Sequence, residues 1–292
     1  MSEIDEFLDE SARLVNAELD WLIPETGPGP RSLRDAIRWS LFAGGKRFRP
    51  ALVLAVGRAF GGDDAVLLRC GAAIEMIHTY SLIHDDLPSM DDDDLRRGRE
   101  TCHKKFGEST AILAGDALQA LGFQTIAEDN RTDSDIRNTL VSGLGRAAAR
   151  MVIGQHLDLE AEGKQVTLGE LENIHRNKTG SLIAFSAVAG GLIAGADEKE
   201  VAIIQAYGEK IGFLFQIVDD LLDVTATTSE LGKTAGKDID SEKATYPLTI
   251  GIGETRALAT RVAAESIESL SGLSVDTTML KAISGYLASR TS

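Results

Sequence analysis

Two clusters of aspartates stand out in this sequence as residues whose type and spacing could do chemistry. The first, Asp85-Asp-Leu-Pro-Ser-Met-Asp-Asp-Asp-Asp94, puts six carboxylates within ten positions and has no basic neighbour before Arg96. A run of like charges is ordinarily a solvated loop. This one follows directly from an apolar helical stretch over 77–83, and carboxylates at the mouth of a buried helix destabilise it unless a cation neutralises them. Oxygen donors in this number suit Mg2+ or Ca2+ rather than Zn2+, and the spaced ligands of an EF-hand loop are absent. The second cluster, Phe215-Gln-Ile-Val-Asp-Asp-Leu-Leu-Asp223, sets Gln216, Asp219 and Asp223 on one helical face among Ile, Val, Leu and Phe. It too asks for a cation.

The basic residues indicate what such cations would hold. Lys46, Arg47 and Arg49 follow Gly44-Gly45, and Arg96-Arg97-Gly98, Lys178-Thr179-Gly180, Lys233 and Lys243 also stand beside helix breaks. Any one of them reads as a surface charge. Together with aspartate-rich metal sites they suit diphosphates, gripped through divalent ions and charge-assisted contacts. Each such contact contributes roughly 1.5–3 kcal/mol, so several are needed. No GxxxxGK[ST] phosphate loop, Ser-His-Asp order, zinc signature or GxGxxG supports a nucleotide-triphosphate, hydrolase or dehydrogenase reading.

The elements that must position these groups read as helices almost throughout. Phe7, Leu8, Leu14, Val15, Leu19 and Leu22 recur at helical steps before Pro24, and a helix over 31–43 stops at Gly44-Gly45. Pro50 fits a first helical turn, and Asp63 caps a helix running to about Asp86. Further helices are predicted over 109–128, 134–161, 168–176, 180–194, 197–224, 254–270 and 276–289, with no run of alternating strands. No linker or repeat divides the 292 residues, so residues 1–292 are expected to form one all-α domain, a large bundle around an apolar cleft.

Composition agrees. Apolar residues are 43% and charged residues 26%, within the globular range, and a charge of −15 argues against nucleic-acid binding. Cys70 and Cys102 are too few for a disulfide framework, the acidic N-terminus is unlike a targeting peptide, and the apolar run over 182–196 is too short to span a membrane. A cytoplasmic protein is the expectation.

These motifs, in this order, resemble the trans-isoprenyl diphosphate synthases of the polyprenyl synthetase family from about Leu33 onwards. The match takes in Gly-Gly-Lys-Arg-Phe-Arg-Pro50, Asp85-Asp86 with Asp91, Arg96-Arg97-Gly98, Gly154-Gln155, Lys178-Thr179-Gly180, Asp219-Asp220-Leu-Leu-Asp223 and Leu-Gly-Lys233-Thr-Ala-Gly-Lys-Asp238. The resemblance implies the all-helical isoprenoid synthase fold, usually as a homodimer. It implies three Mg2+ ions, replaceable by Mn2+, on Asp85, Asp86, Asp91, Asp219 and Asp223, with Asp220 and Lys178 also in the catalytic set. By the same resemblance Arg96, Lys178, Thr179, Gln216, Lys233 and Lys243 hold an allylic diphosphate (dimethylallyl or geranyl), while Lys46, Arg49, His78 and Arg97 hold isopentenyl diphosphate. Condensation would release pyrophosphate, which would itself take the proton. Chain length in this family is set just before the first aspartate motif, here at Tyr80 and Ser81. Tyr80 and the two-residue insertion Pro88-Ser89 are similar to the bacterial farnesyl type, so a (2E,6E)-farnesyl product is expected. A geranylgeranyl product is the alternative, and a non-catalytic prenyl-diphosphate-binding subunit is disfavoured because both aspartate motifs are intact.

Overall fold

The computed structural model describes residues 2–225 and 244–290. Helix α1 spans Glu3–Leu22, α2 Arg31–Leu41, α3 Phe48–Ala59 and α4 Asp64–Asp85. Then come α5 (Cys102–Phe106), α6 (Glu108–Ala127), α7 (Ser134–Ala161), α8 (Leu168–His175), α9 (Ser181–Ile193) and α10 (Glu198–Thr225). Helices at Tyr246–Ile250, Ile252–Ser269 and Thr278–Ser289 follow. The helical expectation for the chain is met.

Local chemistry explains the ends of the elements that matter. The Asp63 side chain accepts the Ala65 N–H at 3.0 Å, an N-cap that stabilises α4 by about 1 kcal/mol. From there α4 is apolar on nearly every side, and Leu67, Ile74, Ile77 and Ile83 are fully buried, so the helix runs through the core until Asp85 meets solvent. Across the molecule α6 packs on α4, α4 on α3, α3 on α9 and α9 on α10, while α7 bridges α6 and α9. One apolar cluster extends from Phe7 to Leu287 through these helices. Helices α4 and α10 are long and apolar enough to cross a membrane by length and composition, and their apolar faces pack within the bundle instead.

Three features depart from the sequence reading. Leu95–Arg96 and Arg99–Glu100 form a small antiparallel hairpin, β1–β2, with Arg96 paired to Arg99. Its turn is Arg97-Gly98, both at positive φ (54° and 74°), the pattern of a two-residue hairpin turn. A four-residue ladder is too short to show alternation. Helices α8 and α9, expected as separate, are joined by a π-helical turn over Arg176–Gly180. The short helices α5 and Tyr246–Ile250 lie below the length at which a 3.6-residue period is visible.

Candidate active site

The acidic groups collect where helices end. Asp85 closes α4, Asp219 and Asp223 lie in the last two turns of α10, Asp158 is near the end of α7, and Lys178 and Thr179 sit on the π-turn. That π-turn packs on both α7 and α10. A π-turn rotates the residues it carries relative to a regular helix, and such turns recur at functional sites. Here Thr179 donates to Gln216 Oε1 at 2.9 Å, and Gln216 donates to Asp220 Oδ1 at 2.8 Å. Asp220 also accepts the Tyr246 N–H at 3.0 Å, and its Oδ2 is 3.5 Å from His175 Nε2. Sequence spacing puts Gln216 with Asp219 and Asp223; its amide instead goes to Asp220, one turn along α10. His175, which local sequence leaves as an ordinary helix residue, is buried against Tyr246 with ring centroids 5.5 Å apart.

The close approach of the π-turn to α7 depends on Gly154. A Cβ at that position would stand 2.1 Å from the Lys178 backbone nitrogen. Gly154→Ala must therefore push backbone against backbone, at a cost of about 1–3 kcal/mol. The expected result is a lower melting temperature, and an alanine variant with the wild-type melting temperature would contradict it.

Charge is distributed unevenly among the first-cluster residues. Asp86 is buried and held by Arg96, whose Nε lies 2.8 and 3.0 Å from its two oxygens. Asp85 is half-buried, and burial, with Asp91 and Asp86 nearby, pushes its carboxyl up to about 6 against the pull of Lys178. Lys178 itself donates to Asp158 Oδ2 at 2.6 Å, a partner that sequence reasoning missed although it lies one helical turn after Gln155. Gln155 is buried with neither amide atom hydrogen-bonded. Asp223 is also buried.

The donor set is carboxylate-rich and set among apolar helices, and the raised Asp85 pKa reports the cost of leaving such groups unneutralised. These residues fit a hard divalent cation. Metal binding requires the ionised carboxylate, so divalent-ion affinity is expected to fall as pH drops through about 6. Calorimetric titration with Mg2+ at about pH 5.5 should show roughly fourfold weaker binding than at about pH 7.5, and equal affinities would contradict this. The same shift acts on the ion-free protein in the opposite sense. Protonated Asp85 favours the folded state at low pH, and that advantage is lost as pH rises through about 6. A separate trio of possible ligands, Asp92, Asp94 and His103, lies within 4.8 Å of one another, but Lys104 already sits 2.6 Å from Asp94 Oδ1.

The basic loop before α3 divides its three cations by role. Arg47 adopts φ 48° at the N-cap of α3 and is buried, donating to Glu75 Oε1 at 2.8 Å, Asn16 Oδ1 at 2.9 Å and the Leu41 carbonyl. It is a structural clamp. Arg49 is buried with its Nε lacking a hydrogen-bond partner, and it senses the charges of Glu75, Asp219 and Arg97. Lys46 is exposed, its Nζ 2.9 Å from the Tyr286 hydroxyl. Arg97 reaches back from the hairpin to the Gly44 carbonyl, over Gly45, where φ is 112° and a Cβ would stand 2.5 Å from the guanidinium. Burial, then Arg49 and Arg97, hold the His78 imidazole well below its usual range and hence neutral. Arg49, His78 and Arg97 therefore sit within reach of one another's charge, with Lys46 on the loop that Arg97 holds. Lys233 and Lys243 lie outside the described residues.

Tyr80 is buried on α4, its ring edge-on to His84 at 5.8 Å, and burial raises its phenol pKa against a contact from Gln119. Ser81 is half-buried, its hydroxyl donating to the His78 carbonyl at 2.9 Å.

The family model described as polyprenyl synthetase matches residues 30–271. This chain belongs to the polyprenyl synthetase family. It is 49% identical over 253 residues to the farnesyl diphosphate synthase of Geobacillus stearothermophilus, covering 85% of each chain. It is 44% identical over 292 residues to geranylgeranyl pyrophosphate synthase 11, chloroplastic, of Arabidopsis thaliana, covering 97% of this chain and 81% of that one. Its fold is similar to the crystal structure of a geranyltransferase from Helicobacter pylori complexed with magnesium and isoprenyl diphosphate. That likeness has a TM-score of 0.86 and 32% identity, over 99% of this chain and 97% of that one. Prenyltransferase is the activity class of this family member, and the all-helical fold read from the motifs is the family's.

Proposed function

We propose that this polyprenyl synthetase condenses isopentenyl diphosphate with dimethylallyl and then geranyl diphosphate, giving (2E,6E)-farnesyl diphosphate and pyrophosphate. The observation that carries the reading is the separation of cationic and neutral hydrogen-bonding groups into two sets beside the carboxylates. One set comprises Lys178, Thr179 and Gln216 around the π-turn, with Arg96 on Asp86. The other comprises Lys46, Arg49, His78 and Arg97 around the Gly44-Gly45 loop. Two anionic substrates need two such sets.

In this reading Asp85, Asp86, Asp91, Asp219 and Asp223 would hold divalent ions, Mg2+ or Mn2+, with Asp220 positioned behind them by Gln216 and Tyr246. Bound there, the ions would supply Lewis-acid neutralisation of a departing diphosphate. Lys178, Thr179 and Gln216 would orient the allylic diphosphate, with Lys233 and Lys243 proposed as further contacts. Arg96 would exchange its Asp86 partner for a phosphate oxygen, freeing Asp86. Neutral His78 would donate a hydrogen bond to the isopentenyl diphosphate while Arg49 and Arg97 supply its countercharge. The surrounding apolar helices would keep water from the allylic cation.

Two further parts belong to this proposal. Residues 1–292 act as one domain, and the working form is a homodimer. Ile112 and Leu113 on α6 and Val152 and Ile153 on α7 are 43–55% exposed, an apolar face on two neighbouring helices that a second copy would cover. A geranylgeranyl product is the second reading, favoured by the 44% identity to the plant enzyme of that name. Incubation with isopentenyl diphosphate plus each allylic primer, with Mg2+ or with excess EDTA, tests the proposal through pyrophosphate release. Release only with Mg2+ and both substrates is expected, and release in EDTA would contradict it.

A further inference from the structure

Lys46 follows two glycines at φ 89° and 112°; Arg97 and Arg47 tie down the backbone on either side of it, while its exposed four-carbon side chain is left flexible by the local fold. A lysine in such a loop must be ordered before it can grip an anion, and that ordering weakens binding. The structure supplies an ordering contact from 240 residues away. The Lys46 Nζ lies 2.9 Å from the Tyr286 hydroxyl and 5.3 Å from the centre of its ring.

Tyr286 is carried on a rigid element. In its helix, Thr278–Ser289, Leu280, Ile283 and Leu287 are buried. The Tyr207 hydroxyl donates to the Leu280 carbonyl at 2.7 Å, and Ser266 bonds Ser284 at 2.8 Å. The helix is thereby fixed to α10 and to Ile252–Ser269, with Tyr286 flanking the buried face.

We infer that Tyr286 is a positioning residue for the isopentenyl diphosphate site, holding the Lys46 ammonium where it meets the substrate's diphosphate. An ammonium has three N–H donors; the tyrosine oxygen accepts one and leaves two for phosphate oxygens. The inference rests on the reading of Lys46 given above.

The test is steady-state kinetics of the full chain with Mg2+, comparing wild type, Tyr286→Phe, Lys46→Ala and the double variant. Tyr286→Phe keeps the ring and its packing and removes only the acceptor oxygen, so a purely structural role would not be disturbed. The expected result is a KM for isopentenyl diphosphate raised about fivefold, with the KM for geranyl diphosphate unmoved. In the Lys46→Ala background the same change should add nothing. If Lys46→Ala raises that KM and Tyr286→Phe does not, the inference is overturned and the reading of Lys46 stands. A Tyr286→Phe effect that persists without Lys46 also overturns it. If Lys46→Ala itself leaves the isopentenyl KM unchanged, the underlying reading fails, and the inference with it.

Discussion

Asp219→Ala should lower kcat by at least about a thousandfold, a barrier increase of roughly 4 kcal/mol, while the far-ultraviolet circular dichroism spectrum stays that of the wild type. Asp219 is half-buried near the end of α10 and close enough to Arg49 to feel its charge. It is proposed to help neutralise a diphosphate that must leave with the bonding electrons, and Asp220 and Asp223, already committed to their own positions, do not fill the place that an alanine vacates. Asp85→Ala should behave in the same way. Because burial disfavours the Asp85 anion, its loss should also raise the melting temperature of the ion-free protein by a few degrees at neutral pH. Loss of activity with a gain in stability would separate catalysis from folding. Retention of a tenth or more of wild-type kcat in Asp219→Ala would refute the proposed role.

The second large effect concerns product length. Tyr80 is buried on α4, five residues before Asp85, which places its ring a little more than one helical turn of 5.4 Å from the first carboxylate. If the diphosphate is held at the aspartates, the hydrocarbon must extend away from them along the apolar helices. A turn is about the length of one isoprene unit, so a ring at this depth can stop growth. Tyr80→Ala would open an apolar cavity, of the kind that stays dry and accepts hydrocarbon. Products of twenty carbons or more should then replace the fifteen-carbon product, with turnover falling less than tenfold, under about 1.4 kcal/mol in barrier. An unchanged product pattern would place the floor elsewhere.

Legibility in the sequence followed the range of the interactions. The aspartates could be read because they interrupt apolar helices, and helices α4, α7 and α10 because each runs for more than 20 residues without a proline. The partners of the charged groups could not. Nothing local to Lys46-Arg47-Phe48-Arg49 says that Arg47 turns inward to Glu75 while Arg49 stays without a partner on Nε. Likewise Asp158 is an ordinary acidic residue of α7 until the π-turn brings Lys178 within 2.6 Å, and a π-turn has no distinctive periodic signature. The Arg96-Arg97-Gly98 motif was legible as a basic cluster. Its hairpin turn, which sends Arg96 to Asp86 and Arg97 to Gly44, emerges only from the backbone angles.

The central claim is condensation of two diphosphates with growth stopped at fifteen carbons. It is tested most directly by incubating the purified chain with radiolabelled isopentenyl diphosphate, geranyl diphosphate and Mg2+, removing the diphosphates with phosphatase, and separating the alcohols by chromatography. Label is expected mainly in (2E,6E)-farnesol. Label found mainly in geranylgeraniol, or none in any product longer than isopentenol, would contradict it.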